Sequence, residues 1–367
     1  CSGLTELNVS NFNTSAVTNM RGMFSYCSGL KELNVSNFNT FAVGDMGSMF
    51  YGCSGLKELN LFSFNTSAVT NMDYMFYGCS GLTSLNISNF NTSKVTNMEG
   101  MFSGCSGLTS LNISNFNTSA VWNMSKMFEG CSDLKTIFNT NTWRCEKSQD
   151  MFKGCTRLRG AVPYNPSKVD AKEANPETGY FTDPNPKAYV LLSEDKQTLT
   201  FFYDVNRKFR TLHNDKTWDI DEKSSSSKPS WAGTDDFPNK VVTKVVFDAS
   251  FKDFRPTTTF SWFYNLSALT TIEGLENLNA SAVTDMNHMF YGCSSLKELN
   301  LSNFNTIAVT DMSDMFYRCS SLTSLNLSSF NTSAVTNMRG MFYACPSLTS
   351  LNLSSFNTSA VTNMRGM

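Results

Sequence analysis

The sequence predicts an α/β repeat fold: a solenoid of stacked coils in two tandem arrays, with short parallel strands on one face and short helices on the other. Three observations predict it. Cys1, Cys27, Cys53, Cys79, Cys105 and Cys131 recur every 26 residues, and Cys293, Cys319 and Cys345 resume the interval. The 19 methionines form two further columns, Met20/Met23, Met46/Met49 and so on to Met364/Met367. Within each period apolar residues recur first at strand spacing and then at helix spacing. A fixed period between about 20 and 50 residues marks one supersecondary unit stacked many times.

One repeat shows how each element arises. Cys79 to Gly104 reads CSGLTSLNISNFNTSKVTNMEGMFSG. Leu82-x-x-Leu85-x-Ile87 has the leucine-rich-repeat pattern, in which alternate residues of a short strand enter the core. Leu85 and Ile87 then face inwards, and Ser84, Asn86 and Ser88 face outwards. Phe90 plugs the core beyond the strand. Asn91-Thr92-Ser93 carries side chains that bond to their own backbone and so favour a turn. Val95, Met98, Met101 and Phe102 form the apolar stripe of a short helix, with Ser93 or Thr96 as N-cap and Gly104 as terminator. Methionine suits the space between the faces because an unbranched thioether adapts to irregular gaps.

The 11 cysteines raise the question of disulfides or metal. Equivalent side chains in stacked coils lie roughly 4.8 Å apart and point the same way. A disulfide needs its Cβ atoms about 3.8 Å apart and turned together. The column is therefore expected to be a ladder of buried free thiols. Cys145 stands outside it, and a bridge from it to Cys131 or Cys155 is left open.

The first leucine-rich-repeat array spans 1–160. Its last coil is degenerate: Leu134-x-x-Ile137 keeps the strand, Phe138 to Asp150 loses the motif, and Met151-Phe-Lys-Gly-Cys155 recovers it two residues early. Residues 161–187, rich in proline, read as an irregular C-terminal cap and linker, with Tyr180 and Phe181 sealing the apolar edge. Residues 188–240 read as a β-hairpin cap, Ala188–Leu192 with Thr198–Tyr203, followed by a mobile polar loop from Asp219 to Lys228. The second array, 241–367, opens with Val242-x-x-Val245-x-Phe247; its next coil carries Trp262-Phe263 for Met-Phe and Leu266 for Cys. Because the chain opens at Cys1 and stops at Met367 in mid-repeat, both arrays are expected to be truncated at the chain ends.

The phrases Phe90-Asn-Thr-Ser-Lys-Val-Thr-Asn-Met98 and Met75-Phe-Tyr-Gly-Cys-Ser-Gly-Leu82 resemble the BspA-type leucine-rich repeats of bacterial surface proteins. The resemblance covers about three-quarters of the chain, and a motif that recurs this often is strongly specific. It implies a secreted or surface-anchored protein, with adhesion to host matrix proteins or to other cells as the expected role. The family shares no catalytic residues, so no site is carried over from it.

Little in the composition points to chemistry. Charged residues are 16% of the chain and the net charge is −2, so the basic footprint of a nucleic-acid binder is missing. No run of 18 apolar residues occurs, so no membrane span is expected. The two histidines are His213, in the joint between the arrays, and His288, expected to be an exposed helix residue. No zinc-protease, Cys-x-x-Cys, dinucleotide, P-loop or nucleophile-elbow pattern occurs. Glu6, Glu32 and Glu58, beside Lys31 and Lys57, read as a solvated face. Asp45, Asp285 and Asp311 replace Asn before Met, where a carboxylate would meet a helix dipole. No cofactor, metal or catalytic residue is expected, and the chain is not expected to be an enzyme.

The best binding surface is the outward strand column Asn8, Asn34, Asn60, Asn86 and Asn112, continued by Asn300, Asn326 and Asn352 and flanked by serines. The expected function is an extracellular, non-enzymatic adhesion module that recognises a host matrix protein, a glycan or another cell through many weak contacts. The alternative is a structural spacer presenting a distal domain.

Overall fold

A computed structural model describes residues 2–210, 216–220 and 227–367. The chain divides into two compact units, Cys1–Pro184 and Asn185–Met367. The division lies inside the stretch read as cap and linker.

In the first unit, successive 26-residue repeats stack in register. The expected core residues are buried: Leu82, Val95, Met98, Met101, Phe102 and Cys105 expose none of their surface, and Leu85, Ile87 and Phe90 expose at most 8%. Phe24, Phe50, Phe76, Phe102, Phe128 and Phe152 form one continuous column, with ring centroids 5.5–5.7 Å apart and planes within 13° of parallel. A second column runs Phe38 to Phe64 at 6.5 Å, and Trp143 of the degenerate coil takes the equivalent place over Phe116 at 6.3 Å.

The strand face is leaner than expected. Strand β1 (Ser110–Asn112) pairs in parallel with β2 (Thr136–Phe138), and β2 with β3 (Phe181–Thr182). Coils before β1 make isolated bridges such as Asn60 to Asn86. The reason is local: the asparagine that ends each strand accepts the N–H two residues on, as Asn86 Oδ1 does from Ser88 N at 3.1 Å. That bond opens a turn, and a strand of about three residues is all that fits before it.

The opposite face departs from the expectation, since the Met-Met-Phe stripe is not helical. Val95 to Cys105 runs through successive turns. Met101, Ser103 and Cys105 N–H donate back to Met98, Gly100 and Phe102 carbonyls at 3.0–3.2 Å. The intervening N–H groups of Met98, Gly100, Phe102 and Gly104 donate forward to Asn123, Ser125, Met127 and Glu129 of the next coil at 2.7–2.9 Å. Left-handed residues every fourth position, Gly100 at φ +56° and Gly104 at φ +73°, reverse the winding before a helix can close. The spacing of Met98, Met101 and Phe102 fits two consecutive turns as well as one helical stripe. Gly104 therefore ends a turn, and Ser93 and Thr96 cap no helix.

The thiol column does more than fill space. Cys53, Cys79, Cys105, Cys131 and Cys155 each donate Sγ–H to the phenylalanine carbonyl of the preceding coil, Phe24, Phe50, Phe76, Phe102 and Phe128, at 3.0–3.1 Å. Burial pushes the Cys53 and Cys105 thiols up to about 12. All ten described cysteines are free, and Cys145 donates to the Lys147 carbonyl at 3.3 Å instead of bridging.

Tyr180 and Phe181 close the far edge as expected. Both are fully buried, and Tyr180 and Phe181 set their rings edge-on against Phe152 and Trp143 at 5.3 and 5.0 Å. The Tyr180 hydroxyl accepts from Asn165 N and donates to the Lys168 carbonyl, both at 2.8 Å.

The second unit opens with the expected hairpin, β4 (Lys187–Leu192) antiparallel to β5 (Thr198–Asp204). A short helix α1 (Arg207–Arg210) follows, and β6 (Lys216–Asp219) adds to the outer side of β4. On the inner side β5 pairs in parallel with β7 (Lys244–Phe247), and β7 with β8 (Thr271–Glu273). The hairpin thus covers the first coil edge of this array. Phe201, Phe247, Phe251, Trp262 and Phe263 plug the layer beneath, and Trp231 Nε1 donates to the Trp262 carbonyl at 2.8 Å. Ordinary repeats follow, with β9 (Glu298–Asn300) parallel to β10 (Ser324–Asn326). The loop expected from Asp219 to Lys228 lies largely outside the described residues.

Two predictions follow from these contacts. In the native protein, thiol reagents should label Cys145 well before Cys79 or Cys105; prompt labelling of Cys79, measured by mass spectrometry of the folded chain, would contradict the ladder. A Cβ added at Gly100 would lie 2.5 Å from the Tyr74 ring, whereas one at Gly104 meets nothing closer than 3.4 Å. Both sites are left-handed and should lose about 1 kcal/mol as alanine. Gly100→Ala should lose about 1 kcal/mol more, and a Tyr74→Ser background should cancel that excess in denaturant melts.

Candidate functional site

The eight asparagines of the expected binding face, Asn8, Asn34, Asn60, Asn86, Asn112, Asn300, Asn326 and Asn352, are all exposed. Each Oδ1 accepts the N–H two residues on, at 2.9–3.1 Å. The column is therefore a row of side-chain-closed turns as well as a surface. Each oxygen keeps a second lone pair, used at Asn112 by the Ser114 hydroxyl, and the Nδ2 group adds donors. Ser84 and Ser110, one strand position earlier, are also exposed.

Two structural columns behind this face escaped the sequence reading. Asn37, Asn89 and Asn115 reach into the preceding coil; Asn89 Nδ2 donates to the Leu61, Phe62 and Phe64 carbonyls at 3.0, 3.3 and 2.9 Å. The threonine of the Asn-Thr pair is buried at Thr14, Thr40, Thr66, Thr92, Thr306 and Thr332. Thr66 Oγ1 donates to the Asn91 carbonyl at 2.9 Å and accepts from Asn91 N at 2.7 Å, and Thr14, Thr40, Thr92, Thr306 and Thr332 repeat this pattern. The signal was present in the sequence: Thr keeps its place in every ordinary coil while the next residue varies among Ser, Phe and Ile.

The sequence-level charge assignments need revision at Asp45, Asp285 and Asp311. No helix follows them; each carboxylate accepts the N–H two residues on, at 2.7–2.8 Å, as asparagine does elsewhere. Burial, with the Asp311 charge beside it, holds the Asp285 carboxyl above its ordinary range. Glu6, Glu32 and Glu58 are exposed, and none pairs with Lys31 or Lys57 among the described residues. On the turn face Arg21 forks onto Asp73 at 2.9 and 3.0 Å and reaches Asp45 at 3.5 Å. Tyrosines line the same face: Tyr51 and Tyr77 stack at 4.5 Å in the first unit, and Tyr264, Tyr291, Tyr317 and Tyr343 at 4.5–5.0 Å in the second.

His288 is neither helical nor fully exposed. It holds a left-handed turn at φ 58°, with its ring among Phe260, Tyr264 and Tyr291 at 5.2–6.1 Å. Nε2 stands 3.7 Å from Asp314, whereas Nδ1 is buried without a partner. Burial lowers its pKa, against the attraction of Asp314 and Asp311, and Lys228 and Arg339 add to the lowering. His213 lies outside the described residues. Among the described residues no group of three His, Cys, Asp or Glu side chains could hold a metal ion, and no helix is long and apolar enough to cross a membrane.

A base whose folded pKa is lowered binds fewer protons folded than unfolded, so its contribution to stability is present above the ordinary imidazole pKa of about 6.5 and is lost as pH falls below it. Replacing His288 by Asn, which tolerates the left-handed backbone, should flatten the acid-side decline of the denaturation midpoint between neutral pH and the onset of carboxylate titration. An unchanged slope would mean that the imidazole is not the titrating group.

None of the curated proteins matches this chain. A leucine-rich cell surface protein of Faecalibacterium prausnitzii is similar to it at 17% identity over 87% of this chain and 75% of its own, with a TM-score of 0.22, too low to establish a shared fold. The model of the family described as "Mycoplasma protein of unknown function, DUF285" matches residues 2–85, 56–165 and 257–367. Those stretches cover most of both repeat arrays, and the chain belongs to the DUF285 family.

Proposed function

We propose that this chain is an extracellular, non-enzymatic binding module, a leucine-rich-repeat solenoid that acts in adhesion through its exposed strand face. The observation that carries the reading is the asparagine column. Each amide locks its own turn, so the outward donors are held in fixed positions and little ordering entropy is lost when they engage a partner. Repetition of the same weak donor along successive coils suits multivalent capture. The resemblance of the repeat phrases to BspA-type surface proteins supports the location, and so does the chemistry of the thiols. Eight of the ten described cysteines are buried, and buried thiols held protonated tolerate an oxidising exterior. The spacer reading is favoured by one fact, that every asparagine oxygen in the column is already used internally.

The experiment is binding of the whole chain to immobilised matrix proteins and glycans, beside a Ser84→Lys/Ser110→Lys variant. These serines are exposed and close no turn, so the fold should persist with an unchanged melting curve. An adhesin acting through this face should lose at least tenfold in apparent affinity. Binding that survives the variant would move the surface elsewhere, and no saturable binding to any surface would leave the spacer.

A further inference from the structure

The residue two places after each column asparagine is serine in seven coils, Ser10, Ser36, Ser88, Ser114, Ser302, Ser328 and Ser354, and phenylalanine in one, Phe62. The Phe62 ring is 83% exposed, the most exposed large apolar side chain described. Its backbone is nonetheless held at both ends: its N–H donates to Asn60 Oδ1 at 3.0 Å, and its carbonyl accepts from Asn89 Nδ2 at 3.3 Å. The ring stacks on no other aromatic side chain among those described. An aromatic side chain on a held backbone, adding nothing to the core, therefore interrupts an otherwise uniform serine column. It borders an open groove of about 410 Å³ whose polar wall includes Glu58, Asn60, Ser84 and Asn86.

The chemistry of that groove selects its occupant. Asn60 and Asn86 are held by one bond from Phe62 or Ser88 N–H to each oxygen, and they present Nδ2 donors beside the remaining lone pair. Glu58 presents an acceptor, and no cation lines the groove, which disfavours anionic ligands. Leu59 and Leu61 also line the groove but are buried, so the apolar surface it exposes is chiefly the Phe62 ring, which offers a peptide side chain little in which to bury. A neutral pyranose matches both halves: its C–H face is apolar with weakly positive hydrogens that suit the negative face of a ring, and its hydroxyls both donate and accept. A straight row of donors suits a chain whose equatorial linkages keep it flat.

We propose that the Phe62 groove is a subsite for a neutral β-linked glycan chain, with Phe62 stacking on one pyranose and Asn60, Asn86 and Glu58 bonding its hydroxyls. The proposal rests on the strand face being the binding surface and adds the class of ligand. A single shallow subsite implies weak binding, in the millimolar range.

The test is calorimetric titration of the full chain with cellotetraose and with β-linked mannotetraose, using maltotetraose as the α-linked control. Phe62→Ser restores the residue that the other coils carry, so folding is not at risk, and an unchanged melting curve verifies it. The expected result is saturable binding of a β-linked tetrasaccharide, weaker for maltotetraose and at least tenfold weaker in Phe62→Ser. Tetrasaccharide binding that Phe62→Ser leaves intact would overturn the assignment. Absence of binding by both β-linked probes would overturn it as well, and if the Ser84→Lys/Ser110→Lys variant still abolished capture by a matrix protein, the surface reading would stand while the glycan reading fell.

Discussion

Everything in each unit depends on one constraint: a chain that turns every few residues must still satisfy its backbone between coils. On the turn face the solution is alternation, with one N–H bonding back within its own turn and the next bonding forward to the following coil, as from Met98 through Cys105. Neither a helix nor a regular strand achieves this. A helix sends every N–H back along itself, and a strand sends its groups sideways without turning. The left-handed residues at every fourth position make the alternation possible. The phenylalanine carbonyls complete it, since Phe50 accepts Cys53 N at 3.1 Å and the Cys79 thiol at 3.1 Å. Carbonyls have two lone pairs, and here both are used.

This explains why the cysteine column marks the repeat so clearly. A small apolar side chain with one weak donor fits a buried slot that faces a carbonyl. Serine would bring a stronger donor at a larger desolvation cost, and alanine would leave that lone pair empty. The threonine column solves the matching problem at the other corner, where Thr66 replaces a missing backbone pair by donating to and accepting from Asn91. The repeat is thus a set of side chains standing in for backbone wherever the chain bends too sharply to pair with itself.

The core was legible in the sequence because burial follows period, and period needs no geometry to be seen. Leu82, Leu85, Ile87, Phe90, Met98 and Phe102 were all placed inside from spacing alone, and the hairpin at 188–203 was clear from its alternation and β-branched residues. The helices were misread because Met98, Met101 and Phe102 satisfy two kinds of winding, and what separates them is a left-handed residue that is Gly100 in one coil but Ser48, Tyr74 or Lys126 in others. The turn at Asn91-Thr92-Ser93 forms as read, with Ser93 N–H on Asn91 Oδ1, but the burial of Thr92 and its bonds to the next coil were missed because its recurrence was given no weight. The exposed column was found, but the internal use of its amide oxygens was not, since a sequence shows which groups recur and not which partner each has chosen. His288 was misplaced for a related reason: its neighbours Tyr264 and Asp314 lie one coil away on either side, beyond the reach of any local pattern.

The left-handed positions also set rules for how such an array can grow. Tyr26, Tyr74, Asn265 and Asp314 hold left-handed turns, and each side chain lies over a glycine in the same place of the following coil, Gly52, Gly100, Gly292 and Gly340. At these four places a Cβ on the following residue would crowd the side chain before it, whereas His288 and Arg318 are followed by Asp314 and Ala344 without a glycine. Duplicating the coil that carries Tyr74 would set a second tyrosine where Gly100 now lies, with its Cβ 2.5 Å from the first ring. An array of this kind is therefore extended at least strain where the facing residues of two coils already tolerate each other, and Tyr74 is a poor place to begin.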